Sequence, residues 1–353
     1  MELTYIDYLF LDLFSIDESR KPNTLYHVLN GKRTVSVLLQ TMKMDLTAFF
    51  HLFPKLTLTD FESHIKEFQK RKLVTENYCL TQKGLEAKRI FFRTHRQVVE
   101  KQRLKYARVL PQFISRTLFL TQVLSELRYQ NKNYLPIQAR ASEQLWIKSF
   151  LDKNRLGKDE IGKQFGIEWL EIIKKSQIKQ PPLFLEQLEG HDKSRKTWRQ
   201  IAIDNHLDES ELYVYFQEDW LKIITCIEDN ELFFPLFTAI LKELTHKAGL
   251  CSTSAQETYQ LWVQGRSALD IVRERRLKPS TINDHFTEIA LFYRDFPFEQ
   301  FLTVEQIQFV EHRPSPNSNL THEMIKERFP DIPFFQSRLM QVKGDSIKWR
   351  KQI

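Results

Sequence analysis

Runs that alternate β-branched with polar residues are nearly absent from this chain, and only nine glycines are spread over its 353 residues. Strands need the first and frequent tight turns need the second, so the pattern confines the chain to helices joined by short connections. We therefore expect an all-α, multi-domain protein, with one small β feature in the first hundred residues. Hydrophobic residues make up 42% and aromatics 12% of the chain. That is enough to give two or three domains a core each, and too much for a disordered polypeptide.

The exception follows an amphipathic helix. Thr59 and Glu62 form a capping-box pattern ahead of Phe61, Ile65 and Phe68, and the helix ends in the basic cluster Lys70, Arg71 and Lys72. Leu73-Val74-Thr75 and Tyr78-Cys79-Leu80 then read as two strands of a β-hairpin across a Glu76-Asn77 turn, before Thr81-Gln82-Lys83-Gly84 restarts a helix. This order resembles the end of a winged-helix domain, which sets a first domain at 1–84. The resemblance implies that the helix enters a DNA major groove with His64 on it, that Lys70, Arg71 and Lys72 contact DNA, and that the hairpin is the wing.

A helical middle region follows at 85–250. Its first part, 86–108, carries eight cations (Lys88, Arg89, Arg93, Arg96, Lys101, Arg103, Lys105 and Arg108) against Glu86 and Glu100, leaving +6 of the +7 on the whole chain. We read it as a basic connecting helix, able either to follow a phosphate backbone or to serve as a solvated bridge. A pattern also recurs: Leu25 to Gly31, Leu185 to Gly190 and Tyr259 to Gly265 each end a helix at glycine, and new helices start near Thr34, Thr197 and Ser267. The central copy, at 194–216, reads as a degenerate helix-turn-helix: Thr197 to Ala202, a break at His206-Leu207, then Asp208 to Phe216.

Signatures of catalysis are missing. Gly157 to Gln164 has the spacing of a phosphate-binding loop, but Gln164 replaces the hydroxyl that would hold magnesium, and the flanks read as helix rather than strand. Ten scattered histidines and three widely spaced cysteines, Cys79, Cys226 and Cys251, show neither a metal-ligand spacing nor a disulfide framework. We expect no cofactor, no metal, no small-molecule substrate and no enzymatic activity. The apolar run Leu232 to Leu241 is interrupted by Pro235 and falls short of the ~20 residues that span a bilayer. With no basic leader, a cytoplasmic protein without a membrane partner is expected.

The C-terminal domain, 251–345, carries the most specific pattern. Ser267 caps a helix bearing Leu269, Ile271 and Val272; a break follows at Arg275 to Pro279, and Ser280 stands where the next helix would be capped. That helix carries Ile282, Phe286, Ile289 and Phe292 on one side, which turns Asp284, Thr287 and Glu288 outward. The segment Asp270 to Phe286, with the trailing Ile332-Pro333-Phe334-Phe335 to Val342, resembles the helix-turn-helix domain at the C-terminal end of some RecQ-type helicases. The chain as a whole resembles the YpbB-like bacterial family, in which this domain follows an unassigned N-terminal part. Two positions depart from the pattern: Val272 stands where a small Ala is usual, and Arg276 where Gly is usual in the turn, a place that favours positive φ.

These residues predict a DNA-binding protein. Arg266, Arg273, Arg275, Arg276 and Lys278 are placed to hold phosphates, with Ser280, Thr281, Asn283 and His285 as the candidates for base or backbone contacts. The family resemblance implies a partner, a RecQ-type helicase, and an accessory role in DNA repair or recombination. The competing readings are an adaptor that docks on a helicase without DNA affinity, and a sequence-specific transcription regulator, which would be a dimer on a palindromic site.

Overall fold

A computed structural model describes residues 2–154, 157–248, 250–293, 295–312 and 320–349. The first helices in chain order are α1 (Tyr5–Leu11), α2 (Pro22–Asn30), α3 (Val35–Lys43), α4 (Leu58–Lys70), α5 (Gln82–Phe91), α6 (Arg103–Tyr106) and α7 (Leu110–Arg128). There follow α8 (Ala141–Lys153), α9 (Lys158–Lys175), α10 (Pro181–Leu185), α11 (Trp198–Asp204), α12 (Glu209–Asp229) and α13 (Pro235–Ala248). The last are α14 (Thr253–Val263), α15 (Ala268–Arg275), α16 (Pro279–Phe292), α17 (Val304–Glu311), α18 (His322–Arg328) and α19 (Phe334–Trp349). None of the described helices is long and apolar enough to cross a membrane.

These helices divide into two compact units, Met1–Leu25 with Leu56–Lys247, and Tyr26–Lys55 with Ala248–Ile353. The division cuts across the partition at 84 and 250 expected from sequence, because 26–55 leaves its neighbours and joins the C-terminal helices. Gly31, at φ 82°, ends α2, and a side chain there would collide with that of His51. The next helix, α3, starts after Thr34 and buries Val37, Leu38 and Leu39. Gly265 likewise turns at φ 87°, whereas Gly190 forms an isolated bridge with Lys193 at ordinary φ.

The first unit is centred on aromatic rings from four helices. Trp169 lies 6.0 Å from Trp220 and 5.0 Å from Phe237, and Phe184 lies 5.1 Å from Trp220. Beside them the buried Glu168 of α9 accepts hydrogen bonds from the amides of Leu236 and Phe237, each at 3.1 Å, closing the first turn of α13. Those amides form part of the unsatisfied set at any helix start, so the carboxylate acts as a cap supplied from another helix. Thr197 caps α11 through its hydroxyl and Asp208 caps α12, with His206 at φ 53° between them. Two helices joined by a turn thus stand where the central unit was expected, the second running on to Asp229, well past the bound at 216.

Two expectations for this unit are corrected. The β-hairpin does not form: Val74 and Leu80 make one isolated antiparallel bridge, and no strand occurs among the described residues. The Cys79 amide takes the Thr75 hydroxyl at 3.0 Å, Tyr78 turns at φ 59°, and the Leu80 amide goes to the Ser15 carbonyl at 2.8 Å. The Thr75 and Thr81 amides reach the Cys79 and Leu73 carbonyls across this bridge, but the Leu73 amide turns back to the Phe68 carbonyl and the Thr75 carbonyl takes the Tyr78 amide, so the pairing stops at one bridge and residues 73–80 form no wing. The basic connecting helix is also absent, since α5 ends at Phe91 and no helix resumes before α6. Arg96 and Arg103 turn inward to Asp219 and Glu218 of α12, at 2.7 and 3.1 Å, and Glu218 also accepts the Val99 and Glu100 amides. With Lys88 on Asp12 and Lys105 on Glu228, at least four of the eight cations are paired with carboxylates of the protein itself.

Candidate nucleic-acid interface

In the second unit α14, α15 and α16 form a three-helix corner. Ser252 and Ser267 cap α14 and α15 by accepting the Ala255 and Asp270 amides. Arg276 ends α15 in the left-handed region at φ 51°, ψ 38°, the conformation anticipated for a position where glycine is usual. The extended Lys278 then takes the N-cap position of α16 without a side-chain cap bond and Pro279 opens the helix, so Ser280 lies inside it rather than at the cap expected for it. Proline fits there because its fixed φ suits a first helical position and its missing N–H would have no partner.

On α16 the residues Ile282, Phe286 and Ile289 are buried as the spacing predicts, together with Ile271 of α15, whereas Leu269 is 66% exposed. The outward face differs from expectation. Only Asp284 of the three outward residues is exposed, whereas Thr287 and Glu288 are buried, because α16 packs against α14, α15, α19 and α3. Thr287 donates to the Asn283 carbonyl at 2.9 Å. Glu288 accepts the Ser252 amide and hydroxyl, each at 2.7 Å, and the Arg33 Nε at 3.0 Å. Arg33 also donates to the Leu250 carbonyl at 2.6 Å and lies 4.7 Å from the Phe292 ring centre. Sequence reading missed this lock, since Arg33 and Glu288 are 255 positions apart.

Arg275 and His285 are likewise structural. Arg275 donates to Glu257 at 2.6 Å, to the Ser254 hydroxyl at 3.0 Å and to Thr258, so its guanidinium braces α15 against α14. His285 is buried with Nδ1 2.8 Å from the Thr258 hydroxyl; burial, and then the Arg275 charge, lower its pKa and keep it neutral. Neither side chain reaches a ligand without breaking these contacts, which corrects both expectations.

The remaining candidates gather at the corner. Arg276, Lys278 and Ser280 are exposed, and Thr281 and Asn283 partly so, at the turn and the start of α16, while Arg273 on α15 and Arg266 ahead of it are exposed as well. Arg266 and Arg273 have only long contacts, 3.7 Å to Glu274 and 3.9 Å to Asp270. Four cations thus face solvent beside three exposed acids, Asp270, Glu274 and Asp284.

In the first unit His64 turns to α1, its Nδ1 2.6 Å from Asp7, and does not stand free as a groove contact. Arg71 pairs with Glu67 at 2.6 Å, while Lys70 and Lys72 are exposed.

Residues 254–341 match a family model described as a helix-turn-helix domain, which is the class that the α14–α16 corner defines. Along nearly its whole length the chain is also similar to protein YpbB of Bacillus subtilis (strain 168), at 24% identity over 356 residues, covering 97% of this chain and 98% of that one. No solved structure matches it.

Proposed function

We propose that this protein binds DNA through the corner between α15 and α16 and has no catalytic activity of its own. The observation that carries this reading is the exposed pair Arg276 and Lys278 at the turn into a 14-residue helix, with exposed Arg273 on the last turn of α15 and exposed Arg266 just ahead of its first. A helix N-terminus favours phosphate through its free amides and dipole. Because α16 is enclosed beyond Asp284, contact is limited to its first turn and a half, and phosphate recognition outweighs base readout. The resemblance to the domain at the end of RecQ-type helicases supports a place beside a DNA-unwinding enzyme in repair or recombination.

Fluorescence anisotropy of the full chain on duplex, forked and single-stranded DNA across a salt series tests this. Replacing Arg273, Arg276 and Lys278 together by Gln should flatten the log–log salt slope by about 2 to 3 units, as three lost phosphate contacts require. An unchanged slope removes the corner from the interface, and a preference for forks supports the helicase context. A second reading, a docking module for a protein partner, is favoured by the three acids among the four cations; absence of DNA binding at low salt would select it.

A further inference from the structure

Between α7 and α9, within the first unit, lies a cavity of about 470 Å3. Ligand pockets occupy roughly 300–1,000 Å3. Gly162 and Gly166 line it one turn apart on α9, and a Cβ on either would meet nothing within 4 Å. Glycine inside a helix costs stability relative to alanine, so two glycines clearing one side of a cavity call for a reason other than close packing. Phe165 and Trp169 supply aromatic wall, and the stacked rings of Tyr129 and His191, 4.4 Å apart, line the cavity as well. Arg128, Lys158 and Lys163 also line it, all exposed, with Asp159 as the one acid among the lining residues.

A slot cleared beside aromatic rings takes a planar ring, and three cations take an anion. We propose that this cavity binds a nucleoside phosphate, the base lying over the glycines and the phosphate meeting Arg128, Lys158 and Lys163. It does so without a phosphate-binding loop: Gly157 to Gln164 is the start of α9, and the Ile161 amide is already bonded to the Gly157 carbonyl at 2.9 Å. Side chains rather than backbone amides therefore hold the anion. The same chemistry belongs to a free mononucleotide and to the terminal nucleotide of a DNA strand.

Isothermal titration of the full chain separates these sources, using the four nucleoside monophosphates, their nucleosides, inorganic phosphate, and a single-stranded oligonucleotide with and without a 5′-phosphate. A nucleoside monophosphate or the phosphorylated oligonucleotide should bind at least about tenfold more tightly than nucleoside or phosphate alone. Monophosphate binding identifies a free nucleotide, and preference for the phosphorylated oligonucleotide identifies a strand end. Gly166→Leu fills the slot and should abolish binding, and Lys163→Ala should weaken it about fivefold, with circular dichroism checking that each variant stays folded. Should Gly166→Leu unfold, Lys163→Ala at the exposed position decides alone. No binding of any phosphate compound at about 1 mM, or affinity unchanged in the folded variants, overturns the proposal.

Discussion

Arg276 carries two demands that oppose each other. Its left-handed backbone, φ 51°, costs a residue with a Cβ roughly 1 to 2 kcal/mol, while its exposed guanidinium is one of the four cations at the corner. Arg276→Gly removes the strain but frees the unfolded chain, which returns about 0.5 to 1 kcal/mol. The expected net is a gain of about 0.5 kcal/mol in urea denaturation, together with a DNA salt slope shallower by about one unit. A loss of stability would show that the side chain packs rather than waits for phosphate. His285, nearby, sets a pH dependence opposite to that of a histidine paired with a carboxylate. Burial and Arg275 lower its folded pKa, whereas the unfolded chain returns to about 6.5, so as pH falls the unfolded state takes the proton first. Its contribution is complete above about pH 6.5 and is lost as the pH falls toward the lowered folded value. The urea midpoint of the second unit should therefore drop on acidification, and His285→Gln should remove that part of the dependence; an unchanged profile in the variant would place the titration elsewhere.

At the scale of elements, most of what could be read locally in the sequence formed, and what depended on distant chain did not. The caps of α4 and α16 fall two residues earlier than expected, at Thr57 rather than Thr59 and at Lys278 rather than Ser280. Ser267 as a cap, Gly265 and Arg276 at positive φ, and the buried stripe Ile282, Phe286 and Ile289 all follow from neighbours within a turn or two. The outward face of α16 was misjudged because α3 and α19, which cover it, come from either end of the chain. Leu73 to Leu80 has strand composition, but composition says nothing of the 15–20 segment that takes the Leu80 amide. Charge misled for the same reason, since the acids that neutralise Arg96 and Arg103 lie on α12, more than a hundred residues later. This last pairing holds a non-helical segment in place. Removing one partner of a buried pair costs about 3 to 5 kcal/mol. The double change Glu218→Gln with Asp219→Asn should accordingly release the segment, seen as new tryptic cleavage at Arg93, Arg96, Lys101 or Arg103 under native conditions. A digestion pattern like that of the parent would mean that apolar burial of Val98 and Leu104 suffices to hold it.

For the molecule as a whole, the helix-turn-helix domain is larger than its sequence match. The match covers 254–341, yet the unit that holds it also contains 26–55, and nothing in the local pattern of either segment announces the other. Leu39 of α3 belongs to the same core as Ile271, Ile282, Phe286 and Leu339, and Arg33 is the cation facing the buried Glu288. Cutting away 26–55 exposes the apolar surface beneath Leu39, worth about 1.5 to 3 kcal/mol, and strands a buried carboxylate, worth about 3 to 5 kcal/mol. Against a total stability of about 5 to 15 kcal/mol for a domain, that loss leaves little. A fragment of residues 248–353 should therefore melt early and without cooperativity. Joining residues 26–55 to it through a flexible linker should restore a single sharp transition, because both ends of the inserted segment already lie where the chain passes between units. Arg33→Met in the joined form separates the two contributions: it keeps the apolar cover and removes the charge, so it should lose the ion-pair share alone. If residues 248–353 by themselves unfold as cooperatively as the joined form, the N-terminal segment is an ornament on a domain complete without it.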